Sequence, residues 1–597
     1  MHSAHELTTR WPALDVAAKR ARLTHSLHVS PGLADAVARS TAMADRAATG
    51  LWRADPAVWS PDPDTQHAIA DRLGWMRSPL LMADSIDRLQ TFAATIKENG
   101  FTDVVLLGMG GSSLAPEVLR AVIGVAPSWP RFHMLDSTDP AAVRATETPP
   151  EHTLYLLASK SGTTIEPTSL AAHFQQRLRD AGIPRWADHF VAITDLDTEL
   201  DRRARAEHFR DVFINPSDIG GRYSALSFFG MVPAALMGQD VAEIVGWSLA
   251  MLAAAEPGGT TALANPAVGL GLVMGAGVSA GRDKLTFVAP AALDPFGLWV
   301  EQLVAESTGK NGTGIVPIAG EPLAAPAVYG SDRLFVRLRL HGAPGEGHCD
   351  AGIRALKSTH APIVEIDLPE PLALGAEFMR WEIATAVAGA ILTINPFDQP
   401  NVQRAKDATT VLLTDYTTTG CLPVATPDRM LDGIALTLTS AARTALPSGT
   451  GDALLTLLHQ GDYFALLAYL GPDRELADEL QTIRRTVRDR ARVATMCAYG
   501  PRYLHSTGQL HKGGPNSGVF VLVTAAPRED VPIPGQPFSF GTLELAQAVG
   551  DFAALEAAGR RAVHAHLPSP DRALIRRFAD ALLDRLPGSG APAVGPG

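Results

Sequence analysis

The chain has 597 residues, too many for one small domain, so roughly two to four domains are expected. Hydrophobic residues make up 46% and charged residues 19%, the balance of an ordinary globular enzyme. The formal net charge is -12 with no concentrated basic block, which argues against nucleic acid as a partner and leaves room only for a local basic pocket facing an anionic metabolite.

The N-terminal stretch from Met1 to Arg10 is polar and carries charges, unlike a signal peptide. Residues 1–95 read as a helical region, with helix-like spacing over 14–25, 32–49 and 65–73. The pattern changes at Phe101. Residues 103–107 are a mostly apolar run leading into Gly108-Met-Gly-Gly-Ser-Ser113, and 113–123 read as a helix. Apolar runs at 131–135, 153–158 and 189–194 follow, each near a helical pattern, which implies a parallel sheet covered by helices on both faces. Residues 224–280 are mostly helical. Their most apolar part, 262–280, contains Asn265, Pro266 and several glycines, and reads as a buried helix packed through small residues rather than a membrane span. A second strand–helix series runs through 284–289, 333–340 and 362–366, with a long helix over 376–394. The tail adds a strand at 518–524 and helices near 542–557 and 571–586, and residues 587–597 are expected to be disordered. Three cysteines, Cys349, Cys421 and Cys497, form no CxxC pair and suit a reducing, cytoplasmic setting.

Tyr155-Leu-Leu-Ala-Ser-Lys-Ser-Gly-Thr-Thr-Ile-Glu-Pro167 is the most informative stretch. A strand runs into a loop of hydroxyl side chains with one lysine and one glycine, and a helix starts behind it. Such a loop can hold a phosphate: Ser159, Ser161, Thr163 and Thr164 offer hydroxyls, and the helix start adds free N–H groups and a positive dipole end. A polar turn with an N-cap threonine accounts for the same residues equally well. Gly108-Met-Gly-Gly-Ser-Ser113 is a weak signal by itself, since it lacks the third glycine of the dinucleotide fingerprint, and it suits backbone contact with a substrate through Gly111 and Ser112. Asp136-Ser-Thr-Asp139 could share that crevice or simply cap a helix. Gly220-Gly-Arg-Tyr-Ser224 places an always-charged Arg222 behind two glycines, suited to stabilising an anion or to a structural ion pair.

In order along the chain, Gly108-Met-Gly-Gly-Ser112, Ser159-Lys-Ser-Gly-Thr-Thr164 and Gly220-Gly-Arg-Tyr-Ser224 resemble the phosphoglucose isomerase family. Gln302-Leu-Val-Ala-Glu-Ser-Thr-Gly-Lys310 is similar to that family's glutamate motif, and Asn395-Pro-Phe-Asp-Gln-Pro-Asn-Val-Gln-Arg-Ala-Lys406 to its lysine motif. The form resembled most is the actinobacterial type, which also occurs fused behind a transaldolase, although this chain has no room for a full extra transaldolase domain. The resemblance implies an α/β fold with two sugar-isomerase (SIS) type parallel-sheet αβα sandwich domains and helical additions at both ends. The implied layout is a helical region over 1–95, a first domain over 96–245, a helical connection over 246–282, a second domain over 283–500, and a C-terminal segment over 501–586 completing the second domain and the site.

By the same resemblance the reaction interconverts glucose 6-phosphate and fructose 6-phosphate through a cis-enediolate, without metal or cofactor, in a homodimer with shared sites. Glu306 matches the base, and Arg222 the cation facing the enediolate. Ser159, Ser161 and Thr164 match the phosphate clamp, with Lys160 and Thr163 beside them. Lys406 and Gln399 match the lysine and glutamine near the ring oxygen and phosphate, and Gln302 shares a helix face with Glu306. The ring-opening histidine departs from the family order. Between Glu306 and Lys406 only His341, His348 and His360 occur, whereas Tyr503-Leu-His-Ser-Thr-Gly-Gln-Leu-His-Lys-Gly513 in the tail resembles the family's histidine segment. The expectation is therefore that this element has moved in sequence while keeping its place in space. His505 is the preferred ring opener with Gln509 one turn on, followed by His511 and then His360. Two other readings stay open: an isomerase that also accepts mannose 6-phosphate, and a non-catalytic sugar-phosphate-binding regulator.

Overall fold

The computed structural model describes residues 3–446 and 451–586, and the expectation of disorder over 587–597 falls outside the described residues. The N-terminal region is helical, its longest helix being Pro31–Arg53, but it also holds a strand, β1 (Thr24–His28). The helix expected over 14–25 gives way at Thr24 to this strand, whose residues alternate between exposed and half-buried and run antiparallel to the edge segment 363–367, more than 300 positions later. The alternation suits an edge strand that covers backbone groups otherwise left unpaired.

The first sheet contains β2 (Asp103–Gly108), β3 (Arg131–Leu135), β4 (Thr153–Ala158), β5 (Phe190–Asp195) and β6 (Asp211–Asn215), in the order β3-β2-β4-β5-β6 and all parallel. β2, β4 and β5 are buried at every position, as expected of strands with helices on both faces. From β2 the chain crosses to β3 on one side and β4 on the other. The crevice of such a sheet lies at the carboxyl ends of the strands at this switch point, where the loops after β2 and β4 sit.

The Val268–Ser279 helix is buried along nearly its whole length and packs on the Leu374–Ile391 helix. A Cβ on Gly271 would lie 2.4 Å from Ala384 O, so the small residues let two backbones meet. No described helix is long and apolar enough to cross a membrane.

The second sheet holds β7 (Lys284–Val288), β8 (Val316–Ile318), β9 (Arg333–Leu340) and β10 (Ile363–Leu368), parallel to one another in the order β10-β9-β7-β8, with β1 added at the β10 edge. It stops there. The strand expected at 518–524 to complete this sheet belongs to a third one, made of β11 (Arg429–Leu431), β12 (Ile434–Leu438), β13 (Tyr463–Tyr469), β14 (Ala494–Tyr499), β15 (Gly518–Ala525) and β16 (Arg561–Leu567). Its order is β11-β12-β16-β15-β13-β14, parallel from β13 to β16 and antiparallel at β11 and β12. The described residues thus form three sheets where two were expected. The reason lies in β13, which is buried at all seven positions and supplies β15 with a partner along its whole length.

Polar contacts dock this third unit on the second sheet. Arg333 and Glu321 pair at 2.9 Å, both about 1% exposed, and Glu321 also accepts from Thr495 N at 2.9 Å and Thr495 Oγ1 at 2.7 Å. Arg484 donates to Ala319 O at 2.6 Å, and Lys284 to Gly461 O at 2.7 Å.

Candidate active site

The loop after β2 makes its turn on glycines that nothing else could replace. Gly110 has φ +55°, and a Cβ there would lie 2.7 Å from His505 O and 3.0 Å from Gln302 Nε2. A Cβ on Gly111 would lie 2.0 Å from Gly221 O. The glycines therefore let this loop touch the Arg222 turn, the glutamate-bearing helix and the histidine loop together. Ser112 ends a short 3-10 turn and is half-buried. In the loop after β3, Asp139 caps the Pro140–Ala145 helix by accepting from Ala142 N.

The loop after β4 gathers hydroxyls. Gly162 has φ +72° and donates its N–H to Ser159 Oγ at 3.2 Å. Thr164 occupies the N-cap position of the Ile165–Asp180 helix, yet its side chain makes no cap. Its Oγ1 faces Ser159 Oγ at 3.4 Å and Ser161 Oγ at 3.5 Å, while Thr163 Oγ1 donates to Ser161 Oγ at 3.2 Å. Four hydroxyls thus sit beside the free N–H groups and positive end of a 16-residue helix, a suitable cradle for a phosphate. Lys160 does not join them: its ammonium pairs with Asp195 and donates to Ser217 O at 3.0 Å.

The Asp294–Thr308 helix carries Gln302, Glu306 and Ser307, all buried. Arg222, 3% exposed, donates Nε–H to Ser307 Oγ at 2.7 Å, Nη1–H to Gln399 Oε1 at 3.1 Å, and Nη2–H to Pro396 O at 2.7 Å and Asp398 O at 2.9 Å. Its Nη1 also lies 3.2 Å from Glu306 Oε1. The guanidinium is therefore fixed in place against a carboxylate, with its charge directed at one spot. Gln302 donates to Glu306 Oε2 at 3.3 Å and to His505 O at 2.7 Å, so a single amide touches both the glutamate and the histidine loop.

His505 follows β14 in a short turn, with its side chain 15% exposed. Its Nε2 lies 2.8 Å from Glu166 Oε1. An ionised carboxylate can only accept, so Nε2 carries the hydrogen. Burial alone would raise the Glu166 pKa. The charge and hydrogen bond of His505, the glutamate's own backbone N–H and the charge of Lys406 outweigh it and hold the carboxyl below the usual range. Lys406 stands on the Val402–Thr419 helix, exposed, with its field reaching this pair. Gln509 is fully buried, accepting from Asn401 N at 2.9 Å and donating to Gly309 O at 2.9 Å and Asn401 Oδ1 at 2.8 Å. It ties the histidine segment to the lysine-bearing helix rather than facing open space. His511 is 1% exposed and packed at tilted and edge-on angles among Tyr463, Tyr503 and Phe520, and burial lowers its pKa far below 6.5. His360 is exposed where the Glu346–Ser358 helix gives way to β10.

The sequence profile of the phosphoglucose isomerase family matches residues 82–248. A glucose-6-phosphate isomerase from Rubrobacter xylanophilus is 29% identical over 389 residues, covering 57% of this chain and 89% of the relative. One from Parasynechococcus marenigrum is 28% identical over 469 residues, covering 68% and 81%. The chain is similar to glucose-6-phosphate isomerases over these spans. Among solved structures, a hypothetical protein from Thermus thermophilus shares the fold with a TM-score of 0.53 at 24% identity, over 66% of this chain and all of that one.

Three residues here escape a reading of the sequence. Glu166 looks like an ordinary acid complementing a helix N-terminus, and nothing local announces His505 as its partner. Lys310 closes the glutamate motif and donates to Asn395 O and Asp398 O at 2.5 Å each and to Asp398 Oδ1 at 2.6 Å, locking the glutamate and lysine motifs together. Burial and the charge of Arg222 push its pKa down to about 7, against the pull of Asp398. Gln547 lies in the third unit and donates to Glu166 Oε1 at 2.7 Å.

Proposed function

We propose that this chain interconverts glucose 6-phosphate and fructose 6-phosphate through a cis-enediolate. The observation that carries the reading is the Gln302 amide, which holds Glu306 with one contact and the His505 loop with another and so brings a base and an acid together around one side chain. Phosphate docks among Ser159, Ser161, Thr163 and Thr164, with Gly111 and Ser112 offering backbone beside it. His505, whose Nε2 is engaged by Glu166, uses Nδ1 toward the ring oxygen with Lys406 nearby, and the ring opens. Glu306 removes the proton alpha to the carbonyl and returns it to the neighbouring carbon. Arg222 holds the charge that develops on oxygen, and Gln399 holds Arg222. A positioned base is worth about 10²–10⁴-fold, and fixed donors at a developing oxyanion add a further large factor.

The chain is further proposed to act as a homodimer, with His505 supplied within the subunit rather than by the partner. The support for supply within the subunit is the 2.8 Å contact to Glu166.

The test is a coupled assay: purified protein, fructose 6-phosphate, and glucose-6-phosphate dehydrogenase with NADP. Reduction of NADP is expected. A folded protein that binds the sugar phosphate and yields no NADPH would leave the regulator reading in its place.

A further inference from the structure

We propose that Gln547 is a positioning residue for the ring-opening pair, fixing the Glu166 carboxylate against His505 and tying that pair to the docking of the third unit through Thr138. The inference rests on the reading of His505 as the ring opener.

Gln547 lies on the Phe540–Ala557 helix, which belongs to the third unit, and is 2% exposed. Its Nε2 is 2.7 Å from Glu166 Oε1, and its Oε1 is 2.8 Å from Thr138 Oγ1. The orientation of the amide follows from chemistry. A carboxylate cannot donate, so the NH₂ faces Glu166, the carbonyl faces Thr138, and the threonine hydroxyl donates to it. Thr138 is fully buried in the loop after β3, and Glu166 opens the helix after β4. One side chain of the third unit therefore bridges two strand-end loops of the first sheet.

Two donors converge on Glu166 Oε1, one from Gln547 and one from His505. Each fixes the carboxylate direction, and together they make it a weaker base. The other charged and titratable groups around the pair come from several elements. Lys406 acts from the Val402–Thr419 helix and adds to the stabilisation of the Glu166 anion. Tyr469, at the end of β13, has its phenol pushed well above its ordinary value by burial first, then by the charges of Asp551, Glu544 and Glu166. On the helix of Gln547 itself, Asp551 is neutralised by Lys512 at 2.5 Å and accepts from Tyr503 Oη at 2.7 Å. Glu544 is raised well above its usual range by burial, then by Asp139 and Asp530. Across from them, Asp136 on the loop after β3 faces Arg502 at 3.6 Å.

Without the donation from Gln547, Glu166 becomes more basic and holds the protonated imidazole more tightly. The imidazolium then gives its proton to the ring oxygen less readily, and ring opening slows. Gln547→Leu is expected to lower kcat on cyclic substrate about tenfold near neutral pH with KM little changed, the loss of one charge-assisted hydrogen bond. The alkaline limb of the pH profile should move up by about 0.5–1 unit. Turnover of open-chain substrate, which needs no ring opening, should stay within about twofold of the parent. Thr138→Val should move the same limb in the same direction by less, and Thr138→Ser should restore the parental profile. These two keep the proposal testable should Gln547→Leu fail to fold. A Gln547→Leu enzyme, or failing that Thr138→Val, with an unmoved limb and the parental ratio of cyclic to open-chain rates overturns the inference. His505→Ala separates this from failure of the underlying reading: if it slows cyclic and open-chain substrates equally, His505 is not the ring opener.

Discussion

Replacing Glu306 with glutamine tests the central chemistry. The substitution keeps the shape and removes the base, so the C1–C2 proton transfer loses about 10²–10⁴-fold, or about 3–5 kcal/mol of barrier at 1.36 kcal/mol per decade. Stability is a separate matter. Arg222 loses the carboxylate at 3.2 Å but keeps Ser307 Oγ, Gln399 Oε1, Pro396 O and Asp398 O. Breaking a buried pair outright costs about 3–5 kcal/mol, and the remaining acceptors place this case at or below the low end. The expected protein is therefore folded, melts within a few degrees of the parent, and is nearly inactive. Turnover is read in the coupled assay, and proton abstraction separately by exchange of the substrate C2 hydrogen in deuterated water. A folded Glu306→Gln protein that turns over within about tenfold of the parent, or exchanges that hydrogen at the parental rate, refutes the assignment.

Arg222→Lys should lower kcat at least about 10²-fold, because a single ammonium cannot reproduce a fork that engages Ser307, Gln399 and two carbonyls at once; steady-state kinetics check this. Ser159→Ala combined with Thr164→Val should raise KM for the sugar phosphate more than it lowers kcat, since these hydroxyls hold the end of the substrate that does not react. Glu321→Ala should destabilise the chain by about 3–5 kcal/mol in denaturant titrations by stranding Arg333, which is 1% exposed. The pH dependence of that site has a definite sign. Burial raises the Glu321 carboxyl, but the charges of Arg333 and Arg484 overcome it and leave the folded pKa below the ordinary 4.5. The stabilisation is therefore present above that value and is lost as the pH falls below it, which melting curves in acid will register in the parent and not in Glu321→Ala.

Much of the first sheet is legible in the sequence because its strands are short apolar runs ending in glycine or hydroxyl clusters. Thr153–Ala158 reads as the strand it is, and so does Arg333–Leu340 in the second sheet. β8 escapes because it is three residues long with Pro317 at its centre, and proline argues against a strand interior. β13 escapes for a different reason: a run buried on both faces carries no alternation to separate it from a buried helix. That omission hides the whole third sheet and sends β15 to the wrong one. In the site, Glu306, Arg222 and the hydroxyl loop are legible through the resemblance of their motifs. Glu166 and Gln547 do not, because their meaning lies in partners hundreds of positions away. His505 is legible through the resemblance of its segment, while its partner is visible only in space.

The contact between Glu166 and His505 spans 339 residues of chain. On a ribosome adding about 5–20 residues per second, the hydroxyl loop emerges about 17–70 s before the histidine that works beside it. During that interval the first sheet can be complete, with its helix N-terminus and four hydroxyls formed, while no acid faces a sugar ring. On the proposed mechanism, a growing chain would acquire the means to hold its ligand well before the means to transform it, and ring opening would begin only with the docking of the last-made unit.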